Sequence, residues 1–174
     1  MTRLLPVLIC LTLFGCATGM DVQKQQYAKL KDSRVYEYEF PAVWKGIEST
    51  FRNYSVVDRD PAEVDPVELR RLAKRTLETD WIQTQSRDKY VEFKVNDIPQ
   101  KRYLWTRIKY KVIAESSLGG TQVTVHTQEE VERLNPNGTT AGYDKVSEID
   151  SSRPNEILEK IQMAILSAPP AAAP

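Results

Sequence analysis

The sequence is poor in the residues that enzymes and metal sites most often use. It has one histidine, His126, and two cysteines, Cys10 and Cys16, both near the start. One imidazole with no thiol in the body of the chain cannot assemble the common zinc sites or a thiol–imidazole pair. A charge excess of either sign is also missing: 24 Lys and Arg stand against 24 Asp and Glu, for a formal net charge of zero. Nothing global therefore draws the protein onto nucleic acid or an acidic substrate. No apolar run reaches the ~20 residues a membrane-spanning helix needs. Gly-rich phosphate loops, G-x-S-x-G and metal-ligand spacings are absent as well. The sequence thus predicts no catalytic residue, no metal and no cofactor. What it does hold, 174 residues that are 41% apolar, is enough for one domain with a real core.

Both cysteines belong to the front end. A basic start, Met1-Thr2-Arg3, leads into an apolar run from Leu4 to Phe14 interrupted by Pro6 and Thr12. That is the build of a secretory signal peptide. Its last residues, Leu13-Phe14-Gly15-Cys16, resemble the lipobox of bacterial lipoproteins, although Phe14 is bulkier than the usual occupant. The resemblance implies a signal peptide over 1–15, cleavage before Cys16, a diacylglycerol on its thiol and acylation of the new amino group. Ala17 and Thr18 follow. In enteric bacteria an aspartate there favours retention in the inner membrane, so its absence implies the outer membrane, with the domain facing the periplasm. Two or three acyl chains anchor a protein firmly where one binds marginally. With Cys10 removed in the signal peptide, no disulfide staples the fold.

Residues 16–33 are polar with little periodicity and read as a lipidated N-terminus and flexible tether. Residues 167–174, SAPPAAAP, read as a disordered tail. A single domain is expected over 34–166. Within it, Tyr36, Tyr38 and Phe40 alternate as one face of a strand, with Glu37 and Glu39 on the other. Val43, Trp44, Ile47 and Phe51 then fall at helical spacing behind Pro41. A short strand YSVVDRD precedes a second helix start, with Asp65 as cap, Pro66 in the first turn and Glu68 three residues on. Strands are predicted over 76–85 and 89–97, joined by a hairpin at Ser86-Arg87-Asp88, then over 101–115 and 121–134, joined by SSLGG. A short strand is expected between Tyr143 and Ile149, and Ile157, Leu158, Ile161, Ile165 and Leu166 mark a closing amphipathic helix. The fold class is α+β: an antiparallel sheet of about five to six strands, with one helix from the N-terminal half and one C-terminal helix packed on one face.

The long strand carries the main candidate site. Leu104, Thr106, Ile108, Tyr110, Val112 and Ala114 share its core face by alternation. Tyr103, Trp105, Arg107, Lys109 and Lys111 share the other, with Lys101 and Arg102 just before them. Two readings stand side by side. The face is a binding patch for an acidic protein surface or anionic lipid head groups. Alternatively it is a solvated sheet face whose cations pair with Glu92, Glu129 or Glu130. Zero net charge and the export signal argue against nucleic acid as the partner. His126 falls on the outer face of the following strand. The pairs Glu37/Glu39 and Glu129/Glu130 lack the facing arrangement across a cleft that glycoside hydrolysis needs. Trp44 and Trp81 read as core residues, and Trp105 as an outward aromatic.

Taken together, the lipobox, the polar tether, FPAVWKGIESTF, LETDWIQT and the closing ILEKIQMAIL resemble a domain of the BamC family over about Tyr36 to Leu166. Members of that family are lipoproteins of the outer-membrane β-barrel assembly machinery, and their domains have the helix-grip fold. The resemblance implies a helix-grip-like domain, no enzymatic activity, an accessory or scaffolding role in envelope protein assembly, and an envelope protein partner besides the membrane. BamC itself has two such domains and a long segment that binds its partner BamD. This chain has one domain and a short tether, so that partner is not carried over, and the stretch from Asp60 to Arg75 is an addition. Helix-grip domains in other families enclose apolar cavities, which leaves a second expectation: a carrier of lipid or another hydrophobic ligand. A sheet–helix interface filled by Trp44, Phe51, Trp81, Phe93, Ile108, Tyr110 and Ile161 would count against a carrier.

Overall fold

The computed structural model describes residues 22–24, 29–61, 64–69 and 71–167. Residues 1–21, including Cys16, and 168–174 lie outside them. The chain folds as β1 (Val22–Lys24), β2 (Ser33–Tyr36), α1 (Phe40–Thr50), β3 (Val56–Asp60), α2 (Pro66–Leu69), β4 (Lys74–Thr79), β5 (Ile82–Val95), β6 (Ile98–Ser117), β7 (Gly120–Leu134), β8 (Thr140–Lys145) and α3 (Ser152–Ser167). The eight strands among the described residues join one curled antiparallel sheet, so the architecture is α+β.

Eight strands replace the five or six expected, because three positions beside the long strands are each shared by two segments. β6 is the spine. One of its edges is taken by β4 and β5 in succession, with Glu78 opposite Lys111 and Ile82 opposite Ile108. Its other edge carries β7. Beyond β7, β2 pairs one end and β8 the other. Beyond β4 and β5 lie β3 and β1. The expected single strand over 76–85 is thus broken at Asp80-Trp81. The break is satisfied locally: Thr79 Oγ1 accepts the Tyr110 N–H at 3.0 Å, and the Asp80 N–H donates to the Ser55 carbonyl at 2.7 Å.

The hairpin expected at Ser86-Arg87-Asp88 does not form. β5 runs straight through these residues, and its register slips between Gln85 and Tyr90, which face Trp105 and Tyr103. Four residues, Ser86 to Lys89, therefore crowd against Leu104 as a bulge. The reversal comes instead at Asn96-Asp97, both at positive φ (50° and 63°). Asn and Asp tolerate that region, and a two-residue turn of this hand matches strand twist. Three other expectations are corrected. The second helix is a single turn, because Lys74 onward is drawn into β4, leaving Val67 64% exposed. The segment 16–33, expected as a tether, contains β1 and Ser33 of β2, and Ser167, expected in the tail, is the last residue of α3. β2 stops at Tyr36, so Tyr38 is exposed and Phe40 opens α1 rather than continuing a strand.

The helices cover the concave face. α1 buries Phe40, Val43, Trp44, Gly46 and Ile47, and α3 buries Ile157, Leu158, Ile161 and Ile165, whereas Leu166 is exposed. They meet Leu77, Ile108, Tyr110, Val112, Val123 and Val125 from the sheet in one core. The helices approach closely because Gly46 has no side chain: a Cβ there would lie 2.7 Å from Ile165 Cγ1. Trp44 is wholly buried and parallel to Phe40, with Arg75 4.5 Å from its ring centre and its Nε1–H donating to Glu48 at 2.9 Å. Trp81 and Phe93, expected in this core, are exposed at 36% and 39%. Trp81 sits in the strand break, and Phe93 lies beyond the reach of either helix.

Candidate functional site

Alternation along β6 puts Tyr103, Trp105, Arg107, Lys109 and Lys111 together on the convex face, while Leu104 to Ala114 are buried on the concave one. The cations there are neutralised. Arg107 Nε donates to Glu130 at 2.6 Å. Lys109 pairs with Glu78, and Lys111 reaches the second oxygen of Glu78 at 3.7 Å. The hydrogen bond from Lys109 holds the Glu78 carboxyl below the usual carboxylate value. Lys101 lies 3.8 Å from Glu92 and 4.3 Å from the Tyr90 ring. This is the paired arrangement of a solvated sheet face, with Glu78 in place of the expected Glu129.

The aromatics are a different matter. The Arg107 guanidinium lies 5.3 Å from the Trp81 ring centre and 4.7 Å from that of Tyr143. Gln83 Nε2 donates to the Tyr143 hydroxyl at 3.2 Å, and Tyr90 and Tyr103 contact each other at 5.7 Å. Trp105 remains 44% exposed. The result is an aromatic platform, Trp81, Trp105 and Tyr143, set in locally balanced charge. Trp81, in the break between β4 and β5, and Tyr143 of β8 reach this face only through the pairings of β5 with β6 and of β8 with β7.

Beside the platform, Glu132 ends the β6–β7 ladder. Its carboxylate is buried and accepts from the Trp105 N–H at 2.9 Å, Arg102 Nη2 at 3.0 Å and Thr140 Oγ1 at 2.8 Å. It replaces a missing strand partner and pins the backbone of Trp105.

A second polar group occupies the concave side. In the β5 bulge, Lys89 Nζ donates to both Asp88 oxygens at 2.9 and 3.0 Å and to Glu129 Oε1 at 3.1 Å, and all three side chains are buried. Ser86 Oγ accepts the Lys89 N–H at 3.0 Å. Asp150 accepts the Ser152 N–H at 2.9 Å at the start of α3, and Arg153 donates to the Gln85 carbonyl at 3.0 Å. Glu129, offered by the sequence as a partner for the outer cations, lies instead opposite Ile108 on the concave side. Its parity with Val123 and Val125 was the available signal for the concave side.

A cleft of about 730 Å³ opens beside this group, where no strand among the described residues pairs β7 between β2 and β8. Lys24, Lys29 and His126 line it along with Asp88, Glu148 and Asp150. Lys24 is paired with Glu148 across the mouth. With both signs of charge interleaved, the cleft has no preference for either. His126 is exposed, as its outer position implied. No group of His, Cys, Asp and Glu able to hold a metal occurs among the described residues.

Compared with known proteins, the chain matches no family model and no curated protein. The assignment of fold therefore stops at α+β with a curled antiparallel sheet and two helices against its concave face.

Proposed function

We propose that this protein is an envelope lipoprotein, anchored to the outer membrane through Cys16, whose helix-grip-like domain is a non-enzymatic docking scaffold for envelope protein assembly, in the manner of the BamC family it resembles. The observation that carries the docking role is the pair Trp81 and Tyr143 around Arg107, with the exposed Trp105 two residues away on the same face of β6. Aromatic residues and arginine are the types enriched in protein interfaces, and Trp, Tyr and Arg dominate binding hot spots. Because the lysines of this face are already paired with Glu78, the partner is bound through aromatic contact rather than through a strongly acidic surface. The carrier alternative loses support from the same packing: Trp44, Ile47, Phe51, Ile157 and Ile161 fill the space between helices and sheet, leaving the sheet–helix interface to side chains rather than to a lipid.

Two measurements test the proposal. Cys16→Ala should shift the protein from the membrane fraction to soluble or uncut material, and unchanged membrane association would sink the anchor. A photoreactive residue in place of Trp105 should crosslink one discrete envelope protein in intact cells. Recovery of lipid alone would replace the scaffold with the carrier.

A further inference from the structure

The far end of the β5–β6 hairpin carries large apolar side chains on one face, beside Gln100, and no helix among the described residues covers it. Phe93, Val95 and Ile98 are 39%, 49% and 59% exposed. Val95 pairs with Ile98, and Phe93 lies two residues away on the same side. Val22 of β1 faces Val91 across the neighbouring ladder, which puts it on that side too, 53% exposed. Four large apolar side chains thus share one face of a projecting tip. On the opposite face of the same tip stand Lys94, exposed, and Lys101.

The direction of β1 indicates what meets this face. β1 runs antiparallel to β5, from Val22 opposite Val91 to Lys24 opposite Lys89. The chain therefore enters β1 from the hairpin side. Val22 stands six residues after Cys16, and six residues span at most about 20 Å. The tip projects from Val91 to Asn96, which at ~3.4 Å per residue is about 17 Å. An acyl anchor on Cys16 is consequently tied within one hairpin length of Val22, whereas an 18-residue tether would have allowed about three times that reach. We propose that the β5–β6 tip is a second membrane contact: Val22, Phe93, Val95 and Ile98 enter the lipid interface beside the acyl chains, and Lys94, on the other face of the tip, reaches the anionic head groups. This rests on the lipid anchor at Cys16 proposed above. It orients the molecule, since β6 runs from this tip to Ser117, about 65 Å at strand rise, and carries the Leu118 turn away from the bilayer.

The test uses the mature full chain in vesicles of phosphatidylethanolamine and phosphatidylglycerol. Ile98→Cys and, separately, Leu118→Cys are labelled with an environment-sensitive fluorophore, and the mass of the mature N-terminus is read first. Acylated Cys16, a blue-shifted label at 98 quenched by brominated lipid and shielded from iodide, and a water-exposed label at 118 are the expected results. The triple variant Phe93→Ser/Val95→Ser/Ile98→Ser should stay anchored but let iodide reach a label at Gln100, which shares the face of Phe93 and should be shielded in the unsubstituted chain. Acylated Cys16 with position 98 open to iodide overturns the tip contact and leaves the anchor standing. Position 98 shielded but untouched by brominated lipid also overturns it, in favour of a protein or a second copy on this face. An unacylated Cys16 overturns the anchor and the tip contact together.

Discussion

Lys89 opens the strand expected over 89–97, and nothing in its local sequence marks it as buried. Beside Ser86-Arg87-Asp88 it belongs to a polar stretch with turn composition. In the folded chain it is buried, with its ammonium divided between Asp88 and Glu129. A buried ion pair adds little over an apolar substitute, but removing one partner strands the other charge. Lys89→Met should therefore cost about 3–5 kcal/mol in urea unfolding, and adding Glu129→Gln should recover part of that loss. A cost below ~1 kcal/mol, the range of exposed pairs, would show the cluster to be solvated. Glu132 follows the same rule: its buried carboxylate is held by Thr140, eight residues on, and by Arg102 and the Trp105 N–H, which are distant in sequence.

Among the elements, α1 and α3 were readable because their apolar spacing is periodic and each begins near a proline. The core face of β6 was readable by alternation, and all six of its expected residues are buried. The failures lie where pairing overrides composition. The stretch at 86–88 became a bulge because β5 keeps β6 as its partner on both sides of it, and the second helix shrank because β4 has β3 and β6 to join. How close the helices lie was also hidden, since it depends on the contact of Gly46 with Ile165 across the molecule. Gly46→Val should force the helices apart at about 1–3 kcal/mol, seen as a lowered melting temperature. An unchanged one would mean that the contact yields without strain.

At the scale of the whole molecule, burial sets the response to alkali. Burial pushes both Tyr36 and Tyr110 up to about 12, from an ordinary 10.0. A tyrosine is neutral while protonated, so the raised value means that the folded state holds its proton to higher pH than the unfolded state does. The associated stability is full below pH 10 and is lost as pH rises from 10 towards 12. Urea midpoints should fall across that window. Tyr36→Phe should lessen the fall while costing ~1 kcal/mol at neutral pH, because the hydroxyl donates to the Leu158 carbonyl at 2.7 Å. A midpoint indifferent to pH between 10 and 12 in the wild-type chain would contradict this burial.

The sequence by itself determined that α1 and α3 become helices, which face of β6 is core and which face carries Tyr103, Trp105 and the three cations. Those properties follow from local period, where each side chain's direction depends only on its neighbours along the chain. Tertiary structure alone decided that the cations are paired, that Trp81 and Tyr143 flank Arg107, and that β1 docks on β5 rather than remaining in a tether. Each of these depends on strand pairings between residues many positions apart. Whether a lysine is a binding group or half of an ion pair depends on the strand laid beside it, and that strand is chosen by the packing of the whole chain.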